Sequence, residues 1–405
     1  MLKLALVFGL IVLLLGRRWN LGYVLLLGSA LLGVLFGLSP LQILEQGLVA
    51  MLNPTTLRLV AAVLLITTLG ELMREVASMQ RLVDSLQEII GDRRVVLASI
   101  PALIGLLPMP GGAMLSAPMI EEVATKLGLG PERKTYLNYW FRHVWEYVFP
   151  LYPAPVLAAG LLGIPLSRLM LAQFPLSLGA ILAGALIGLR KIGRMEEGGN
   201  PAGGAERWHN LQVLASSIWP IALVILLSLG LGWELALSLT VAIILVALVN
   251  RMKPRALGKV LRRSLSPRTA LLVFSIMIFK QIVEASGAAD TLSTALMSWG
   301  VAPVVVVIVV PGVLGLLTGL TVSMVGISFP LLLPFISGSV AYLNYAVLAF
   351  AAGFIGVLLS PMHLCLALTR DYFHADWAPL YRTLLPSTAL LGVVAMGLWF
   401  IGGFR

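Results

Sequence analysis

Apolar runs recur along almost the whole chain, and its polar positions fall in short clusters between them. Ten runs predict full spans. In the first half these are Leu2 to Leu15, Leu21 to Leu38, Leu57 to Met73, Tyr136 to Leu162 and Leu166 to Leu189. In the second they are Leu211 to Leu231, Leu235 to Val249, Thr269 to Val283, Tyr342 to Leu368 and Leu380 to Ile401. Two further stretches, Val95 to Thr125 and Val301 to Pro334, are too long for one helix and carry glycine, proline or hydroxyl residues at their centres. The arms of the first, Val95 to Leu107 and Ala113 to Thr125, would each be about 20 Å of helix, which reaches into a hydrocarbon core of roughly 30 Å without crossing it. Both stretches are therefore predicted to be re-entrant helical hairpins. Leu41 to Met51 and Arg255 to Leu265 read as interfacial helices.

With the hairpins entering and leaving on one side, the basic residues separate cleanly. Arg17-Arg18, Arg93-Arg94, Arg133-Lys134, Arg190-Lys191 with Arg194, and the Arg251 to Arg268 connection share one face. The opposite connections, Ser39 to Pro54, Gly163 to Ser167, Gly232 to Glu234 and Ala285 to Gly300, contain no Lys or Arg. The basic face is expected to be cytoplasmic, with both termini outside.

Tyr-Leu-Asn-Tyr occurs at Tyr136 to Tyr139 and again at Tyr342 to Tyr345. Around it Glu75 matches Glu284, Pro101 matches Pro311, Gly105 matches Gly315, and Pro150 and Pro175 match Pro361 and Pro386, all at separations of 206 to 211 residues. The expected fold is an all-α polytopic membrane protein of two repeats, residues 1–190 and 211–405, joined by a cytoplasmic linker, 191–210. Each repeat has five transmembrane helices and one re-entrant hairpin, 95–125 or 301–334. Five is odd, so the second repeat crosses in the opposite sense to the first.

Backbone near the bilayer midplane is tolerated only against protein or a wet cavity. Pro108, Pro110, Gly111 and Gly112 at the first hairpin tip therefore mark a cavity, and Thr318, Gly319, Thr321 and Ser323 reach the same depth from the other side. The long spans after each hairpin are interrupted too, around Tyr152 (Pro150 to Pro155) and around Ser360 (Ser360 to His363). Helices restarting at such breaks present positive dipole ends suited to an anion, with the hydroxyls of Ser116, Thr318, Thr321 and Ser323 to orient it.

Arg142, His143 and Glu146 lie within an apolar span, just before the first break. An intramembrane carboxylate is a functional candidate, here for ion coupling, although Arg142 and Glu146 at i, i+4 also make an ordinary helical pair. His143 and Glu146 would supply half a metal site at most; no second ligand pair is visible, and no metal is expected. His363 either titrates near neutral pH or hydrogen-bonds a freed carbonyl. Lys280 and Glu284 read as an i, i+4 pair.

Composition narrows the class. Of 405 residues 59% are apolar and 11% charged, and the mean hydropathy is +0.98, which excludes a soluble globular protein. The net charge of +10 sits in orientation clusters rather than in a nucleic-acid surface. Leu2 to Leu15 is followed by Gly16-Arg17-Arg18 rather than a small-residue cleavage site, so it is taken as the first helix. Cys365 is the single cysteine, which rules out an internal disulfide and a thiolate cluster.

The paired hairpins, inverted halves and interrupted fifth spans resemble the ion-transporter superfamily of gluconate, citrate, lactate and dicarboxylate permeases, with its sodium/proton and arsenite carriers. "LLPMPGGAMLSAP" and "LTGLTVSMVGISFP" are most similar to its uncharacterised branch, domain-of-unknown-function family 401. The resemblance implies secondary transport by an elevator-type movement, commonly in a homodimer. The hairpin tips lack the Ser-Asn-Thr signature of sodium-coupled dicarboxylate members, which favours a proton carried by Glu146 or His363.

The expectation is a multi-pass protein of the cytoplasmic (inner) membrane that moves a small organic anion, coupled to H+ or Na+, without a cofactor and without enzymatic activity. A cation/proton antiporter using Glu146 is the first alternative. An intramembrane lipid-acting enzyme is the second, with His143, Glu146 or His363 in acid–base roles; no nucleophile or cofactor motif accompanies them. No hydrated polar stripe suggests a channel.

Overall fold

The structure, a computed structural model, describes residues 1–17, 19–76, 92–106, 112–190, 192, 204–337 and 342–402. Among these it is all-helical. The chain opens with α1 (Leu2–Gly16), α2 (Leu21–Leu35), α3 (Pro40–Leu52) and α4 (Pro54–Glu75). A hairpin of α5 (Arg93–Gly105) and α6 (Ala113–Lys126) follows, then α7 (Pro131–Arg142), α8 (Pro153–Leu162) and α9 (Leu166–Ala183). Next come α10 (Gly204–Ile225), α11 (Leu235–Val249), α12 (Pro254–Ser264), α13 (Pro267–Ala285) and α14 (Ala288–Ser298). The chain ends with the hairpin α15 (Pro303–Thr318) and α16 (Thr321–Ser337), then α17 (Tyr342–Leu359), α18 (Leu364–Phe373) and α19 (Trp377–Ile401).

Local chemistry sets many of the starts. Asn20 and Asn53 cap α2 and α4 by accepting from Gly22 and Thr55 N–H, and Ser39 with Gln42 forms a capping box on α3. Proline occupies the first turn of α3, α4, α7, α8, α12, α13 and α15, where its missing N–H costs nothing. α9 and α10 each finish in one π-turn, Gly184–Gly188 and Leu226–Gly230. The matched prolines Pro101, Pro311, Pro175 and Pro386 all sit inside helices, in α5, α15, α9 and α19.

Five segments are long and apolar enough to cross a membrane: Pro54–Glu75, Leu166–Gly188, Trp208–Gly230, Tyr342–Phe373 and Trp377–Ile401. Pro267–Ala285 and Ala288–Ser298, bent by 62° at their junction, make a sixth if taken as one span. The ten full spans expected from hydropathy are thus not all single long helices. α1 and α2, of 15 residues each, reach only about 22 Å. The expected Tyr136 to Leu162 span differs most. Its helix stops at Arg142, well before Pro150, and does not resume until Pro153.

Packing divides the helices into two groups. α13 lies against α2, α3 and α4, and α4 also carries α11 and α12. In the other group α15 packs along α17, α5 along α7, and α19 against both α9 and α17. Second hairpin arms reach across the sequence: α16 packs on α8, and α6 on α18. Buried aromatics, among them Tyr136, Tyr139, Trp140, Tyr147 and Phe354, fill the space around α7 and α17.

Candidate functional site

Between the two groups lies a cavity of about 550 Å³. Its wall collects residues from the first turns of five helices: Pro153 of α8, Thr321 of α16 and Leu364 of α18 from one group, Leu21 of α2 and Arg268 of α13 from the other. α8, α13 and α18 have no side-chain cap on their first N–H groups. Helix N-termini carry partial positive charge, so five of them around one space favour a negative occupant. Trp19 and Arg268, both exposed, form the rim. Buried Arg142, His143, Glu146 and His363 form the floor.

The floor exists because the first interrupted span gives up its helix early. From His143 to Tyr152 the chain runs in turns, with His143 N–H donating to the Trp140 carbonyl, Glu146 N–H to His143 and Tyr152 N–H to Phe149. Glu146 therefore follows Arg142 through turns rather than one helical turn along the same helix. The Thr321 hydroxyl donates to Glu146 Oε2 at 3.0 Å, and Glu146 Oε1 lies 3.7 Å from His143 Nε2. The Tyr152 hydroxyl donates to the Gly105 carbonyl at 2.5 Å, joining the break to the first hairpin.

The second break is shorter, from Ser360 to His363. His363 Nδ1 is 2.7 Å from the Gly319 carbonyl in the hairpin turn, so this histidine does bind a freed backbone oxygen. Its Nε2 lies 3.1 Å from His143 Nε2. The Ser360 hydroxyl donates to the Leu316 carbonyl at 2.6 Å and accepts from Met362 N–H.

Of the residues singled out from sequence, His143, Glu146, Tyr152, Thr321, Ser323 and His363 line this one cavity. Gly319 supports it from behind. Ser116 is buried and turned to the Ala113 carbonyl, Thr318 donates to the Leu314 carbonyl, and Ser360 caps the second break; none of the three lines the cavity. Gly112 precedes α6 in right-handed helical conformation and is not in the wall either. Pro108, Pro110 and Gly111 lie outside the described residues. Sequence reasoning gave no site role to Arg268, Asn20 or Cys365. Only Cys365 had a signal: it stands two residues after His363, just past Pro361. A larger hollow of about 690 Å³ beside Asp92, Arg94 and Arg190 holds ordinary surface charge, Arg94 being paired with Asp92 at 2.9 Å.

Several apolar helices fit a multi-pass membrane protein. The profile of the family described as Protein of unknown function (DUF401) matches residues 1–401, and the chain belongs to that family. No curated protein matches it.

Proposed function

We propose that this protein is a secondary transporter of a small organic anion, coupled to H+ or Na+, built on two inverted halves like the ion-transporter superfamily. The observation that carries the reading is the cavity itself: five helix N-termini and two arginines, Arg142 and Arg268, around one space between two helix groups. A carboxylate is the group such a wall holds best.

The order of elements supports two similar halves. α1 to α4 and α10 to α13 run apolar helix, apolar helix, amphipathic helix, apolar helix, and each set is followed, after α14 in the second, by a hairpin, an interrupted span and a last long helix. The contacts exchange in pairs, α2 on α13 as α11 on α4, and α3 on α13 as α12 on α4. Cavity walls drawn from both groups suit an elevator movement, in which the hairpin-bearing group carries its share of the site past α2 and α13.

One observation favours the cation/proton antiporter instead: Glu146 is a buried carboxylate whose partner, Thr321, sits at a hairpin turn. Uptake of labelled mono-, di- and tricarboxylates into proteoliposomes separates the two. Transport is expected for at least one class, with a matching rise in melting temperature for that anion. Arg268→Gln, at the exposed rim, should weaken uptake and leave the fold intact. If no organic anion is taken up while a sodium gradient alone shifts lumenal pH, the antiporter reading replaces this one.

A further inference from the structure

His143 and His363 come from the two different breaks and aim their Nε2 atoms at each other, 3.1 Å apart. Each ring is held by its other nitrogen, His143 Nδ1 at 2.6 Å from the Tyr139 carbonyl and His363 Nδ1 at 2.7 Å from the Gly319 carbonyl. A carbonyl oxygen only accepts, so both Nδ1 atoms carry the hydrogen. In the neutral rings each Nε2 then presents a lone pair, and the two lone pairs face one another. Glu146 adds a third acceptor: its Oε2 is engaged by Thr321, and its Oε1 lies 3.7 Å from His143 Nε2. Three acceptors converge, with the Cys365 thiol and the Arg142 guanidinium on the same floor.

The convergence has the chemistry of a ligand set. The ligand atoms of His143, His363 and Cys365 lie within 4.8 Å of one another, and all three residues and Glu146 are buried. Two imidazoles bound at 2.0–2.1 Å to a tetrahedral ion would stand about 3.3 Å apart, close to the spacing here. Ring N–H groups donated to backbone carbonyls are the usual outer support of ligating histidines. A proton shared by the histidines would account for the two Nε2 atoms without an ion, and titration with the metal separates the two arrangements.

We propose that His143 Nε2, His363 Nε2 and Cys365 Sγ form a binding site for a borderline divalent transition-metal ion of the Zn2+ kind, with Glu146 in reach as fourth ligand. The mixed nitrogen, sulfur and oxygen set selects against Mg2+ and Ca2+, which take oxygen. Bound there, the ion fastens the two interrupted spans to each other and, through Glu146 and Thr321, to the second hairpin turn. The inference rests on these four side chains and not on transport.

The test uses tag-free, chelator-stripped protein in detergent, titrated with Co2+ and then Zn2+. Because the chain has one cysteine, a thiolate-to-Co2+ charge-transfer band reports on Cys365 alone. One Co2+ per chain is expected, with that band, displaced by Zn2+. Cys365→Ser should remove the band, and His143→Ala with His363→Ala should weaken binding by more than about 100-fold, beyond the loss from an outer-shell change. X-ray absorption of the wild-type Zn2+ form needs no variant and should find nitrogen scatterers near 2.0 Å and one sulfur near 2.3 Å. Absence of binding at micromolar ion, a Zn2+ shell without sulfur, or undiminished affinity in the double variant, which would place the ion at His209 or His374, overturns the proposal.

Discussion

The two interrupted spans begin alike and end differently. α7 and α17 both carry Tyr-Leu-Asn-Tyr, and both meet the first arm of their own hairpin through a glycine. A Cβ on Gly105 would run into the Arg142 carbonyl, and one on Gly315 into the Gly353 carbonyl. Beyond that shared crossing α17 stays helical to Leu359, while α7 stops at Arg142. In the second span Gly356 repeats the close approach, its own Cβ position pressed on the Gly312 carbonyl. In the first, Trp145 stands near the equivalent place and donates its indole N–H to the Ala102 carbonyl at 3.0 Å. An indole cannot occupy a glycine's space, so the chain leaves the helical path there. One half keeps a close-packed helix with a short break; the other gives up helix to present Arg142, His143 and Glu146 to the cavity.

The largest effect should come from the crossing both spans share. Gly105→Val and Gly315→Val each force backbone apart, because what the new side chain meets is a carbonyl and not a flexible tip. Each is expected to cost about 3 kcal/mol, the upper range for overpacking, read from melting in detergent. If Gly315→Val is severe and Gly105→Val is neutral, the two crossings are not equivalent and the resemblance between the halves is weaker than their spacing implies.

Next in size is the separation of function between the breaks. Glu146→Gln keeps an acceptor for Thr321 but removes the charge, and is expected to lower coupled uptake tenfold or more, about 1.4 kcal/mol or above at the transport barrier. Ser360→Ala removes the cap of the second break and should cost about 1 kcal/mol in stability with uptake kept. Initial uptake rates and melting curves on the same preparations check both. Equal loss of uptake in the two variants would show that the second break also handles the cargo.

Much of the scaffold was legible in the sequence because its signals are local. The amphipathic segments gave α3 and α12 within a residue or two, and proline with glycine or hydroxyls located the arms of both hairpins and the second break. Lys280 and Glu284 pair at 3.3 Å as their spacing suggested. The end of α7 was not legible. No proline or glycine stands at His143, and the cause is the tertiary crowding of Trp145 against α5. The His143–His363 contact joins residues 220 apart in the chain, so neither histidine alone could announce it. Arg142 and His143 adjacent in an apolar run, with His363 and Cys365 at the other break, were the only traces.

The smallest predicted difference tests the repeated tetrapeptide. Asn138 donates from Nδ2 to the Ala113 carbonyl at 2.8 Å and approaches the Thr369 hydroxyl at 3.5 Å, tying α7 to α6 and α18. Asn344, its counterpart, is also buried, and both asparagines leave Oδ1 unpartnered among the described residues, so the difference lies in the Nδ2 bond of Asn138. Asn138→Ala should therefore cost about 1–2 kcal/mol, a lost hydrogen bond plus an exposed acceptor in an apolar interior. Asn344→Leu should fall within about 0.5 kcal/mol of the parent, since an apolar group of similar size removes an unmet acceptor. Should both cost the same, Asn344 must bind across α17 as Asn138 does across α7, and the two spans would be alike at their starts in energy as well as in sequence.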